Sequence, residues 1–557
     1  MSAARLLATA VAAVAALAHL VTAQTTSPPI ATTLNGTYQG RYLPEWDQDL
    51  FLGIPYAQPP LGDLRFRWPR SINTSFEGVR DASQYGYSCM QYHTTFNISE
   101  DCLTINVIRP AGTGLPVLVW IFGGGLYTGS TADPQYNLSG IVKVSQDLGE
   151  PVIAVDMNYR LGMWGFLQMP SLVAEGSSNA GLLDQRLALH WIQENIAAFG
   201  GDPDRVVVYG ESAGAQSIAY QHFSYDGRDD GLYRGAIMES GGPTGCQVQD
   251  LSWYAVGVEN LTRTVGCWTT SGWTSSTILP CLRSLDQATL FAAAPSLVWN
   301  PLIDGDFLTG YPSQLMPEGK FNAVPLLTGT NTDEGTGFSP SGPNTDEDLF
   351  HDFMWWRSYA LSPPTIRKFF ELYPDNPCHE PPFYIWNCSV FPSKGLEWRY
   401  GALIGGDMVM HSGRRKMCEL YAGMAGQDVY SYRFDTRLWS ETALYGVPHF
   451  DNVAFSFQNI SGLLGPSPTY DDDLRIARSI AISYISFVHN LDPNPPAEWD
   501  AWNKVDALPL PTWPKYSLDE PTNMVLNVTG PWVEPDTWSK EGIAYMNTYA
   551  VARELLA

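Results

Sequence analysis

Between residues 105 and 240, short apolar runs rich in β-branched side chains alternate with stretches of helical periodicity, and this alternation constrains the fold most. Residues 115–122 (LPVLVWIF), 151–157 (PVIAVDM), 205–209 (RVVVY) and 235–239 (GAIME) read as strands. Residues 180–199 read as a helix, because Leu183, Leu187, Trp191, Ile192 and Ile196 recur at helical spacing. Strands that are apolar at nearly every position have no face to offer water. They belong to a parallel sheet covered on both sides. The expectation is an α/β fold: a large, mixed, mostly parallel sheet flanked by helices, with helical and loop insertions after about residue 245. Strand-like stretches at 324–330 and 428–433 return to that sheet. Asp471-Asp472-Asp473 opens a helical run through 476–488, where the acids satisfy the helix dipole rather than bind a metal. No repeat and no charge-dense linker divides the chain, so one domain is expected over 24–557.

Gly210-Glu211-Ser212-Ala213-Gly214 fits Gly-x-Ser-x-Gly and stands where that pattern has mechanical meaning, after the strand RVVVY and before a helix at 213–220. Its glycines let neighbouring segments pass closely while Ser212 projects from the carboxyl edge of the sheet. A serine hydroxyl attacks only when a base accepts its proton, and the base needs an orienting carboxylate. In the order serine, acid, histidine that such a turn takes, the base falls among His351, His379, His411, His449 and His489. His449 has the best local case, in the loop Tyr445-Gly446-Val447-Pro448-His449. For the acid, Glu334 and Asp333 compete in Gly329-Thr330-Asn331-Thr332-Asp333-Glu334-Gly335, and spacing does not separate them. Upstream, Phe122-Gly123-Gly124-Gly125 follows a strand, and glycines there turn backbone N–H groups towards a developing oxyanion.

The remaining signals concern compartment and partners. Residues 1–23 read as a secretory signal: Arg5, an alanine-rich apolar stretch over 6–21, and Val21-Thr22-Ala23 at the cleavage position. Asn-x-Ser/Thr sequons at Asn35, Asn73, Asn97, Asn137, Asn260, Asn387, Asn459 and Asn527 agree with export of a glycoprotein. So does an even count of 8 cysteines with no Cys-x-x-Cys and no zinc spacing, and neither a metal nor a cofactor is expected. No other segment is long and apolar enough for an integral membrane span. With 57 Asp+Glu against 32 Lys+Arg and a net charge of −25, nucleic acid is excluded as a partner, because a polyanion is repelled.

Taken with its ordered blocks, the sequence resembles the type-B carboxylesterase/lipase family of α/β-hydrolases, which includes cholinesterases and fungal secreted lipases. The resemblance runs from about 30 to about 540. It is most specific over 51–69 (FLGIPYAQPPLGDLRFRWP), 100–107 (EDCLTINV), 119–125 (VWIFGGG), 158–166 (NYRLGMWGF) and 179–214. It implies Ser212 as nucleophile, Glu334 as acid and His449 as base, with Gly124, Gly125 and Ala213 as oxyanion donors. It implies supporting roles for Glu211 beside the nucleophile and for Ser240, which would hydrogen-bond the acid. It further implies buried pairs Arg65–Glu100 and Arg160–Asp184, and disulfides Cys89–Cys102 and Cys267–Cys281. Cys378–Cys388 is a pairing from local proximity alone, and Cys246 and Cys418 stay unassigned.

Two departures bear on substrate. Cys89 and Cys102 enclose only 12 residues, far fewer than the lid of the fungal interfacial lipases, so strong activation at an oil interface is not expected. That loop carries Tyr92 and Phe96 but none of the tryptophan a cholinesterase offers a quaternary ammonium. After His449, Phe450-Asp451-Asn452-Val453 stands where the family usually has a small residue and a Glu-Leu pair. The expected activity is hydrolysis of a small-molecule or lipid carboxylic ester. Acyl transfer on the same triad is the alternative, and a non-catalytic adhesion protein a more distant one.

Overall fold

The computed structural model describes residues 28–556, apart from 244, 246, 295–297, 384–387, 425, 459–461 and 463–470. The expected signal, Cys246, Asn387 and Asn459 lie outside the described residues. The strands of the main sheet are, in chain order, β1 (Arg41–Leu43), β2 (Gln48–Pro55), β3 (Thr104–Arg109), β4 (Leu115–Ile121), β5 (Ile153–Met157), β6 (Gly201–Glu211), β7 (Gly235–Glu239), β8 (Leu326–Asn331), β9 (Val429–Phe434), β10 (Thr522–Leu526) and β11 (Trp532–Pro535). Among the described residues they form one sheet of 11 strands in the order β11-β10-β9-β8-β7-β6-β4-β5-β3-β2-β1. Pairing is parallel from β5 through β4, β6, β7, β8 and β9 to β10, and antiparallel towards both edges. A separate three-stranded sheet holds the N-terminal segment.

The helices that matter for the site are α1 (Ser139–Leu148), α2 (Ala180–Asn195), α3 (Ala213–Gly227), α4 (Asp346–Trp355), α5 (Ser412–Ala422) and α6 (Asp471–Asn490). Every residue of β4, β5, β7 and β8 is buried, as strands covered on both faces must be. α1 packs with α6, and α2 with α3, over the centre of the sheet. Each acid of Asp471-Asp472-Asp473 stands in the first turn of α6, the structural place expected for it.

Element bounds depart from the sequence reading where tertiary contacts extend or break the local pattern. The strand read at 205–209 grows to 201–211 because β4 and β7 supply ladder partners beyond the apolar run. The helix read at 180–199 tightens into a 3-10 turn at Ile196–Phe199, closed by Gly200 at φ 86°. The helix after Ser212 runs past 220 but breaks at Ser224, where Tyr225 and Asp226 turn left-handed.

Two buried ion pairs brace the sheet near its functional edge. Arg160 grips Asp184 of α2 through Nε at 2.8 Å and Nη2 at 2.7 Å, and Arg65 Nε meets Glu100 Oε2 at 2.8 Å. Asp184→Ala leaves a guanidinium buried without its counter-ion, and the expected loss is about 3–5 kcal/mol in a denaturant titration. A loss below about 1 kcal/mol contradicts this role. Disulfides join Cys89–Cys102, Cys267–Cys281 and Cys378–Cys388, while Cys418 is buried and unbridged. Of the sequons, Asn73, Asn97 and Asn260 are exposed, whereas Asn527 is buried with its amide given to Asp435, which leaves no room for a glycan.

Candidate active site

Parallel register brings the site together. Ile121 of β4 lies opposite Gly210 of β6, Glu211 opposite Glu239 of β7, and Glu239 opposite Gly329 of β8. The loops after these strands therefore leave one edge of the sheet side by side. Ser212, between β6 and α3, holds φ 54° and ψ −125°, a strained conformation that a non-glycine residue keeps only when its surroundings enforce it. Its N–H donates to the Glu239 carbonyl at 3.0 Å. Gly214 is required by close approach, since a Cβ there would run into the Ile121 carbonyl.

His449, 237 residues away, places Nε2 2.8 Å from Ser212 Oγ, and its Nδ1 lies 2.7 Å from Glu334 Oε2. A carboxylate only accepts, so Nδ1 carries the proton and Nε2 is free to accept from the serine hydroxyl. Glu334 Oε1 in turn accepts from Ser240 Oγ at 2.5 Å and from the Asn331 N–H at 2.7 Å. Burial pushes Glu334 up, but His449 and these donors outweigh it and hold the carboxyl below its usual value. Burial also works to lower His449, yet the neighbouring Glu211 and Glu334 carboxylates leave it above the ordinary histidine value.

Asp333, the rival acid, faces elsewhere. Its carboxylate accepts from the Val447 N–H at 2.8 Å and the Phe383 N–H at 3.0 Å, tying down the loop that carries His449. Of the other histidines, His351 is exposed on α4, His379 sits in a surface 3-10 turn, His489 ends α6, and His411 is buried against Thr330 Oγ1 at 2.9 Å. Burial lowers His411 to about 4, so it is a neutral prop under β8.

Gly124 and Gly125 are both left-handed, at φ 83° and 65°, a conformation glycine adopts without steric cost. The N–H groups of Gly124, Gly125 and Ala213 donate to no other described residue, and the glycine turn meets Ser212 at Gly123, where a Cβ would stand 2.9 Å from the Ser212 Cβ. Glu211 is fully buried beside Ser212, its Oε1 3.4 Å from His449 Nε2, and neither of its oxygens has a hydrogen-bond partner among the described residues. Burial, against the pull of His449, drives it up to about 8.

Three contributors escaped sequence reasoning. Glu239, beside Ser240, lies behind the site and accepts from Tyr209, Ser456 and Tyr484 hydroxyls, a role that sequence reasoning did not assign to it. Gln91 of the 89–102 loop accepts from Thr128 Oγ1 at 2.8 Å and the Gly129 N–H at 3.0 Å, and donates to the Gly129 carbonyl at 2.8 Å. It thereby staples the disulfide loop to the glycine turn. Phe338 meets the His449 ring edge-on, 5.7 Å between centroids, a contact that depends wholly on packing.

A polarised hydroxyl, a histidine oriented by a carboxylate, and a nest of free N–H groups are the parts of an acyl-transfer centre. The Carboxylesterase family model matches residues 27–529, and the chain belongs to that family. It is 31% identical to Lipase 2 of Geotrichum candidum, over 93% of this chain and 95% of that one. It is 33% identical to the secreted triacylglycerol lipase LIP1 of Gibberella zeae, over 83% and 82%. Among solved structures it superposes on Aspergillus niger EstA with TM-score 0.82 at 28% identity, covering 95% and 99%. The PNB esterase superposes at 0.75 and 29%, covering 95% and 100%. The protein is a carboxylic-ester hydrolase of the α/β-hydrolase fold. No helix among the described residues is long and apolar enough to cross a membrane.

Proposed function

We propose that the chain is a secreted serine esterase working as one hydrolase domain through Ser212, His449 and Glu334. The observation that carries this is the unbroken relay from Ser212 Oγ through both ring nitrogens of His449 to Glu334, at 2.8 and 2.7 Å. His449 takes the Ser212 proton as Oγ attacks the ester carbonyl. The N–H groups of Gly124, Gly125 and Ala213 hold the resulting oxyanion, each donor contributing about 3–4 kcal/mol to the transition state. His449 then protonates the leaving alcohol, and a water activated the same way releases the acid. Secretion rests on the leader at 1–23, the sequons and three disulfides, and Gibberella zeae supplies a secreted relative.

The short 89–102 loop argues for esters in true solution. Tyr92 is not spread over the nucleophile: it stacks on Phe291 at 4.3 Å and donates to the Phe291 carbonyl. Ser212 and His449 both keep solvent-accessible surface. With p-nitrophenyl acetate, butyrate and palmitate, turnover of the short esters follows saturation below their solubility limits, with no jump at emulsion formation. Activity that starts only once an emulsion forms contradicts this reading. Transfer to an added alcohol in preference to water would replace hydrolysis by acyl transfer.

A further inference from the structure

Among the described residues, Arg357 is one of several cations that meet no carboxylate. No ion pair to it exists among the described residues, although acids outnumber Lys+Arg by 57 to 32. Arg357 follows α4, and it and Ser358 are both left-handed, at φ 51° and 61°. Two such residues in succession, neither of them glycine, aim the side chain in a direction that a relaxed turn would not. The guanidinium is half-buried. Its Nη2 donates to the Gly245 carbonyl at 2.8 Å, and its buried Nε has no acceptor. Its carbon stands 5.9 Å from the Phe338 ring and 6.0 Å from the Trp356 ring.

These contacts connect the charge to the catalytic residues through intervening groups on each side. Phe338 is the ring that meets His449 edge-on. Gly245 sits against Gln216, in the first turn of α3, whose N–H bonds the Ser212 carbonyl. Arg357 is therefore bracketed by the base on one side and the nucleophile's helix on the other. A partly dehydrated guanidinium with spare donors and no counter-ion is costly unless an anion meets it in use. Its field also opposes a proton on His449, so nothing in the catalytic cycle itself accounts for it.

We propose that Arg357 is a substrate-recognition residue that receives a carboxylate carried by the ester, making acidic esters preferred over neutral ones of the same size. Guanidinium and carboxylate match in geometry, and the pair is strong where water is partly excluded. The carboxylate belongs either to the acyl part, as in a monoester of a dicarboxylic acid, or to the alcohol part. The inference rests on the hydrolase reading above. At long range a chain of net charge −25 repels an anionic ester, so a preference for one requires a local cation.

The test compares kcat/KM within two matched pairs for the wild type, Arg357→Gln and Arg357→Lys. Mono-p-nitrophenyl glutarate against p-nitrophenyl butyrate probes the acyl side, and 4-acetoxybenzoate against phenyl acetate the alcohol side. Taking the anionic-to-neutral ratio cancels intrinsic reactivity and general damage to the enzyme. The expected result is a fall of at least about tenfold in one ratio for Arg357→Gln, with partial recovery in Arg357→Lys, as for loss of one charge-assisted pair. The pair that responds identifies the side. Equal ratios in all three proteins overturn the proposal and leave Arg357 as a clamp on Phe338 and the Gly245 carbonyl. Should Arg357→Gln not fold, free glutarate decides on the wild type. Competition against p-nitrophenyl butyrate that weakens with salt, and is absent with neutral glutaramide, supports the subsite, while equal effects overturn it. A wild type that hydrolyses neither member of either pair refutes the hydrolase reading instead.

Discussion

Ser212→Ala lowers kcat for a dissolved p-nitrophenyl ester by about 10⁶-fold, the loss typical when the nucleophile of a triad is removed. The serine is partly exposed, so deleting one oxygen opens no cavity in the core, and thermal unfolding stays within a few degrees of wild type. Residual turnover above water persists, because the N–H groups of Gly124, Gly125 and Ala213 and the binding surface remain. Retention of even one-hundredth of the wild-type rate in a folded Ser212→Ala protein rules out Ser212 as nucleophile.

Glu334→Gln has the next largest effect, about 10⁴-fold in kcat, since an amide in place of the acceptor lets His449 adopt the wrong tautomer. The change is also legible in pH. His449 accepts the serine proton only when neutral, and its pKa lies above the ordinary 6.5 of histidine. Wild-type kcat/KM therefore falls as pH drops through a midpoint above 6.5. Removing the Glu334 charge takes away one of the two carboxylates that raise His449, so the acid limb of the variant moves to lower pH. A limb that moves up contradicts the assignment of Glu334 as the orienting acid.

How far the chain could be read depended on how local each determinant is. Ser212 was legible as the candidate nucleophile because the features that single it out are contiguous: the strand, the two close-approach glycines and the helix. The sheet was legible for a related reason, since strands buried on both faces leave an unbroken apolar run. Glu334 and Asp333 were not separable, because both are buried acids at the end of β8. Only the three-dimensional turn sends one to His449 and the other to the Val447 and Phe383 amides. The choice of His449 among five histidines depends on a contact spanning 237 residues, and family resemblance supplied what periodicity lacked. The contacts of Arg357 and Phe338 left no trace in any motif, because they arise from packing between segments that the sequence keeps far apart.

The central claim is that Ser212 is activated by His449 and Glu334 for attack on an acyl carbon. The most direct measurement is covalent labelling with a fluorophosphonate, followed by intact mass and peptide mapping. The wild type gains one adduct, mapped to the peptide holding Gly210–Gly214, and both Ser212→Ala and Glu334→Gln label at least about 10³-fold more slowly. An adduct on another residue, or no adduct on a folded wild-type enzyme, contradicts it.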